Sequence, residues 1–227
     1  MSFRIDQRAT DYREIDRFDG GVGWIAHPEE TMQRASHALA IDGEVWVIDP
    51  VDADGLDELL AEFGDVAGVV VTLDRHARDA ATIADRHGAF VYLPAFFDGV
   101  AENLDAPIVR FRDELADTGI EARTVVESRF WKEVALYDPV GGTLVVPESI
   151  GAAPYFLTRG ERLGVHPMRR FVPPREHLGD LAPDRVLVGH GSGVLENASS
   201  ALEDALAGSR RRAPLLYAKA TWNLLPF

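Results

Sequence analysis

The chain contains no cysteine. That absence excludes disulfides, thiol nucleophiles and cysteine-based zinc sites, so any metal must be held by His, Asp, Glu or backbone oxygen. Lysine is nearly absent too, with only Lys132 and Lys219. Acidic residues outnumber basic ones 37 to 23, giving a formal charge of −14. Such a balance disfavours nucleic acid and anionic membrane surfaces as partners. Dispersed carboxylates with so little lysine fit an acidic, halophilic protein of haloarchaeal type, kept hydrated by self-repulsion. Long apolar runs are missing as well: none approaches the roughly 18 residues that span a bilayer. The opening "MSFRIDQRATDYREIDRF" is charged and has no signal-peptide core, so a cytoplasmic protein is expected.

What is present reads as one domain over residues 1–227, with 46% hydrophobic residues to build a core. "HALAIDGEVWVIDP" (His37 to Pro50) sets Asp42-Gly43 between two apolar runs, as in a tight hairpin. It ends at Asp49-Pro50, where the chain must leave the sheet. "LDELLAEF" spaces Leu56, Leu59, Leu60 and Phe63 as a helix face, with Gly64 as its stop. "VAGVVVTL" is a continuous apolar run, typical of a strand covered on both faces. A helix from about Arg75 to His87 follows, closed by Gly88, and "AFVYLP" completes a strand–helix–strand unit from Val66 to Pro94. After Gly99 come the short strands "IVRFRD", "GIEARTVVES", "KEVALYD" and "GTLVVPES". Pro173-Pro174 precedes a short helix, "RVLVGHGSG" is a strand running into a Gly-rich turn, and Glu196 to Ala207 is an amphipathic helix. A meander followed by strand, turn and helix thus occurs twice. Two such halves face to face make a four-layer αββα sandwich. Residues 209–227 carry apolar side chains to pack on the domain; left exposed, Leu215 to Phe227 would support a homodimer.

The segments "HALAIDGEVWVIDP", "VVVTLDRHARDAATIA", "RDELADTGIEARTVVES", "KEVALYDPVGGTLVVPES" and "DRVLVGHGSGVLENASSALEDAL", in that order, resemble the metallo-β-lactamase fold superfamily over about residues 20–208. The resemblance implies an αββα sandwich with a site at one edge, normally holding two zinc ions that activate a hydroxide for hydrolysis. The superfamily signature Thr-His-x-His-x-Asp-His, aligned from Thr72 without a gap, meets Leu73, Arg75, Ala77 and Arg78. With one residue inserted after Leu73, its ligand positions fall on Asp74, His76, Arg78 and Asp79. The family's middle histidine has no counterpart in "VESRFWKEV", Glu148 stands in place of the bridging aspartate, and His190 in "VGHGSG" matches the last histidine.

Independently of any family, Asp74, Glu148 and His190 each lie just past the C-terminal end of a strand, where α/β sheets gather a crevice. The pocket candidates are Asp74, Arg75, His76, Arg78, Asp79, Glu148 and His190. Each has a plain structural role available. Asp74 suits a helix N-cap, Arg75 and Asp79 an i,i+4 ion pair, His76 a helix position bonded to backbone, and His190 a turn held by Gly189 and Gly191. His27, His166 and His177 have no evident partner and are expected at the surface or in packing. "GHGSG" lacks the lysine of a P-loop and the order of a nucleophile elbow, which disfavours phosphate-loop and serine-hydrolase chemistry.

Two functional readings stay open. In one, the dinuclear zinc ligands are lost, no cofactor is held, and the pocket serves binding, as of a small-molecule ligand, or structural assembly. In the other, a single zinc, manganese or iron ion on Asp74, His76, Asp79, Glu148 and His190 activates water to hydrolyse an ester, thioester or phosphodiester.

Overall fold

Six strands lie in the first hundred residues of the computed structural model, which describes residues 2–222. The elements in chain order are β1 (Arg13–Phe18), β2 (Gly21–Ile25), β3 (Ala35–Ile41) and β4 (Glu44–Ile48), then α1 (Leu56–Ala61), β5 (Asp65–Val70), α2 (Ala80–His87), β6 (Phe90–Pro94), α3 (Asp98–Ala101) and β7 (Ile108–Phe111). These strands form a seven-stranded sheet in sequence order, antiparallel from β1 to β4 and parallel from β4 to β7. The expected hairpin is present: Ile41 faces Glu44 across Asp42 and Gly43, both at positive φ (51° and 84°). Its twist matches that of the flanking strands.

The second half supplies β8 (Glu121–Glu127), β9 (Lys132–Asp138), β10 (Thr143–Val146), β11 (Ile150–Gly151), β12 (Gly164–Val165), α4 (Arg175–Leu178), β13 (Arg185–Val188) and α5 (Ala198–Trp222). Strands β13, β10, β9 and β8 form a second sheet in that order, with β10 and β13 parallel, while β11 and β12 pair separately. One apolar layer lies between the large sheet and α1 and α2, built on Val47, Leu60, Val69 and Ile83. A second, including Trp46, Val70, Leu136 and Leu187, lies between the two sheets. A third, including Val146, Val188, Leu202 and Leu206, lies under α5. Three apolar layers separate four structural layers, so the fold is the expected αββα sandwich. Each fully buried Leu, Ile or Val in these layers contributes about 1.5–3 kcal/mol.

Two element boundaries differ from the sequence reading. Helix α2 begins at Ala80, not near Arg75, because Arg78 adopts a left-handed backbone (φ 41°) that a right-handed helix cannot contain. Asp79, rather than Asp74, therefore stands at the N-cap position. Helix α5 runs well past Ala207, through Pro214, because its buried stripe continues. Ala198, Leu202, Ala205, Ser209, Ala213 and Leu216 are all buried at helical spacing, while Arg210 and Arg211 face solvent. The helix therefore includes residues 209–222, with Ser209, Ala213 and Leu216 buried and Leu215 exposed; the rest of the apolar tail, 223–227, lies outside the described residues. Among the described residues, no helix is long and apolar enough to cross a membrane.

Candidate functional site

The C-terminal ends of four strands meet at one edge of the sandwich. Asp49 follows β4, Thr72 follows β5, Glu148 follows β10 and His190 follows β13. Backbone bonds stitch the edge together: Ala35 N–H donates to Gly189 O (2.9 Å), Val134 N–H to Thr72 O (2.9 Å) and Asp74 N–H to Lys132 O (3.0 Å). Gly189 is required there, since a Cβ on it would lie 2.1 Å from Pro147 O. The strands approach closely enough to bring their terminal side chains into contact.

Two of those side chains, Glu148 and His190, form a buried cluster with His76. The ligand atoms of His76, Glu148 and His190 all lie within 4.8 Å of one another. His76 Nε2 is 3.6 Å and His190 Nε2 3.3 Å from the same carboxylate oxygen, Glu148 Oε2. The outward nitrogens are already anchored. His76 Nδ1 lies 2.9 Å from Asp49 Oδ2, and His190 Nδ1 lies 2.9 Å from the carbonyl oxygen of Met32. Carboxylate and carbonyl oxygens only accept, so both Nδ1 atoms carry a proton, and a neutral ring at either position would turn an Nε2 lone pair toward Glu148. Burial pushes His190 below its ordinary pKa despite the neighbouring carboxylate, which keeps that lone pair free.

His166 completes the arrangement. Its Nδ1 accepts from Met168 N–H (3.2 Å), which fixes the proton on Nε2, and Nε2 donates to Glu148 Oε1 (3.3 Å). One carboxylate oxygen is therefore held by a donor while the other faces the two Nε2 atoms. Burial alone would raise the Glu148 pKa, but the hydrogen bond from His166 holds the carboxyl below the usual range, and His190 and His76 add to that only with protons on their Nε2 atoms. Asp49 is likewise held ionised against its burial by His76, Arg78 and Thr72. Glu133 fixes the backbone beneath Glu148, accepting from Glu148 N–H (3.2 Å), Ser149 N–H (2.7 Å) and Ser149 Oγ (2.6 Å).

Arg78 supplies a buried positive charge. Its guanidinium donates to Ala35 O (2.7 Å) and Asp49 O (2.6 Å), and one nitrogen lies 3.2 Å from His76 Nε2. Burial lowers its pKa to about 10, which leaves it protonated at neutral pH. Arg78 and Asp49 both adopt left-handed backbone (φ 41° and 47°). Such strain in non-glycine residues persists where surrounding contacts fix it, as these do. Phe156 stacks on His190 at 5.8 Å and meets His166 at 5.4 Å, while Trp131 meets His166 edge-on at 4.9 Å.

The chemistry of this donor set fits a divalent cation. A tetrahedral ion with bonds of about 2.0–2.1 Å needs its ligand atoms roughly 3.4 Å apart, and the two His–Glu separations are 3.3 and 3.6 Å. Acceptors on the remote imidazole nitrogens are the usual outer partners of metal-binding histidines.

Of the seven residues singled out from sequence, His76, Glu148 and His190 come together, with Arg78 beside His76 and Arg75 at the rim, 4.0 Å from Glu148. Asp74 and Asp79 face elsewhere. Asp74 Oδ2 accepts from Lys132 N–H (3.1 Å), and Asp79 Oδ2 from Asp52 N–H (2.8 Å). Arg75 pairs with Asp74 (3.2 Å) instead of Asp79, because residues 75–79 are not helical. His166, expected to be isolated, is part of the site. Its placement depends on β12, a two-residue strand too short to show any periodicity. Asp49 had a signal only as a strand exit. His177 is exposed, and His27 is buried 3.7 Å from Glu29.

The chain is an αββα sandwich of the class that carries a buried cluster, here His–Glu–His, where parallel strands end at one edge. The particular fold is that of the metallo-β-lactamases. A fragment (1–254) of diflavin flavoprotein A 5 from Nostoc sp. PCC 7120 superimposes with a TM-score of 0.65 at 17% identity, covering 92% of this chain and 100% of that one. The DIM-1 metallo-β-lactamase matches with a TM-score of 0.55 at 13% identity, over 89% of this chain and 100% of its own. A metallo-β-lactamase from Hirschia baltica matches at 0.54 and 9% identity, over 84% and 97%. No protein-family model matches the sequence, and no curated relative does.

Proposed function

We propose that this chain is a metal-dependent hydrolase on the metallo-β-lactamase fold, with one divalent ion held by His76, Glu148 and His190. The observation that carries this reading is the convergence of two imidazole Nε2 lone pairs on one carboxylate oxygen whose partner oxygen is already bonded. Bound there, a zinc, manganese or iron ion would act as a Lewis acid and lower the pKa of a water molecule.

The chain's own residues set the conditions for that chemistry. Asp49 and the Met32 carbonyl orient the two rings, and His166 orients the carboxylate. The aromatic cover of Phe156 and Trp131 lowers the local dielectric, which strengthens every charge interaction inside. Arg78 places a permanent cation beside His76, where negative charge developing on an ester, thioester or phosphodiester oxygen would be stabilised. The low lysine content and the charge of −14 support a halophilic, cytoplasmic setting.

One observation favours a second reading. The Arg78 guanidinium is 3.2 Å from His76 Nε2 and can satisfy that lone pair itself, as it would in a metal-free binding protein. Metal analysis after purification without chelator separates the two, alongside assays on generic ester, thioester and phosphodiester substrates. The hydrolase reading expects stoichiometric metal that disappears in His76→Ala and His190→Ala. A metal-free, inert protein whose stability is the same with and without chelator would overturn it in favour of the Arg78-neutralised site.

A further inference from the structure

The face outside the cluster is basic in an acidic protein. Trp131 is half-buried and anchored by its Nε1–H to Glu133 (2.8 Å). The Arg75 guanidinium lies 5.0 Å from its ring and the Arg169 guanidinium 5.6 Å from it. Trp131 also meets the His166 ring at 4.9 Å, and His166 is bonded to Glu148. The stack is therefore two contacts from the proposed metal ligands.

The two arginines differ in what else they touch. Arg75 is held by Asp74 and by the Phe130 carbonyl (both 3.2 Å). Arg169 has no carboxylate or hydrogen-bond acceptor for its guanidinium among the described residues, and its Nε is buried without a partner. The chain's other half-buried arginines all have acceptors: Arg123 pairs with Asp180 and Arg212 with Asp204, while Arg78 donates to the Ala35 and Asp49 carbonyls and Arg185 to the Gly141 carbonyl. A half-buried guanidinium left unpaired in a chain of charge −14 calls for an anionic partner from outside. Arg129, exposed and lying over Phe130, and Lys132 line an adjacent cavity of about 240 Å³ next to Asp74. Arg75 itself reaches to 4.0 Å from Glu148.

We propose that the Arg75–Trp131–Arg169 stack is the recognition element for an oxyanion on the substrate, a phosphate or a carboxylate. The proposal rests on the cluster being the active site and narrows its substrates to anionic ones. Arg169 presents a planar fork of N–H donors suited to bidentate binding of an oxyanion, and stacking on Trp131 pre-orients it. The exposed aromatic Phe130 beside the stack offers an apolar surface to the rest of the molecule.

The test is calorimetric titration with phenyl phosphate and with benzoate, on protein stripped of metal by chelator and on metal-loaded protein. Wild type should bind at least one of the two saturably without metal. Arg169→Gln should weaken that binding by about tenfold or more, with Arg169→Lys in between, as for loss of a charged hydrogen bond. Metal content measured on the same Arg169→Gln preparation should be unchanged, which also shows that the variant is folded. Binding of phenyl phosphate alone assigns a phosphate ester, and of benzoate alone a carboxylate. Absence of binding to either probe in both states, or equal binding by wild type and Arg169→Gln, would overturn the proposal. Absence of metal together with Arg169-dependent binding would sink the hydrolase reading and leave the anion site standing.

Discussion

Glu148 and Glu161 are both buried carboxylates of the second half of the chain, and their surroundings differ in kind. Glu161 accepts from Arg170 (2.7 and 2.8 Å) and from the backbone and hydroxyl of Thr158 (2.7 and 2.8 Å), so each oxygen meets committed donors. Its pair with Arg170 is fully buried beneath α5, where Ser209 donates to the Arg170 carbonyl. Glu148 has one fixed donor, His166, and otherwise faces the Nε2 atoms of two imidazoles whose Nδ1 protons point away. A satisfied pair holds structure together. A carboxylate facing lone pairs is complete only when a cation joins it.

Breaking the structural pair should have the largest effect. Glu161→Ala leaves the Arg170 guanidinium buried and uncompensated, so we expect a loss of about 3–5 kcal/mol in urea unfolding, with metal content unaffected. A loss below about 1 kcal/mol would mean that water reaches Arg170.

At Glu148 the stabilisation should come from the ligand instead of the fold. With free metal near 100 times its Kd, binding adds about 2.7 kcal/mol, so chelator should lower the melting temperature of the wild type. In Glu148→Gln that chelator dependence should vanish, while the metal-free protein melts close to metal-free wild type.

Asp49 sharpens the contrast one shell further out. Asp49→Asn weakens the anchor on His76 Nδ1 and should reduce metal affinity about 10–100-fold, measured by competition with a chelating dye. An unchanged affinity would show that His76 is oriented without it.

The smallest effect is pH-dependent. The folded-state pKa of Glu161 is lowered below its ordinary 4.5, because its bonds to Arg170 and Thr158 outweigh burial. Its contribution is thus fully present above that value and is lost as pH falls through the folded pKa. Glu133 has the opposite sign: burial raises its pKa, so its contribution is present below 4.5 and lost as pH rises through the folded value. Stability measured from pH 6 down to pH 3 should therefore fall in wild type and fall less steeply in Glu161→Gln. Glu133→Gln should steepen the fall.

Much of the fold was legible because its signals are local. The Asp42-Gly43 turn, the apolar run of β5 and the Gly88 stop each report their conformation within a few residues. Glu148 and His190 were legible as strand-end residues, and His76 as the one histidine in the charged turn. The helix start was misplaced because the left-handed backbone of Arg78 is imposed by its bonds to Ala35 and Asp49. His166 was missed because it reaches Glu148 through a two-residue strand pair.

By itself, then, the sequence determined the order of strands and helices, the exclusion of cysteine chemistry, and which residue types could stand at the strand ends. Tertiary structure decided which of them meet. Asp49 and His76 are 27 residues apart on neighbouring strand ends, and His190 meets the Met32 carbonyl 158 residues away, so the contacts that fix each imidazole proton exist only once the strands have assembled. Protonation and orientation depend on which atom faces which, and no local pattern encodes that.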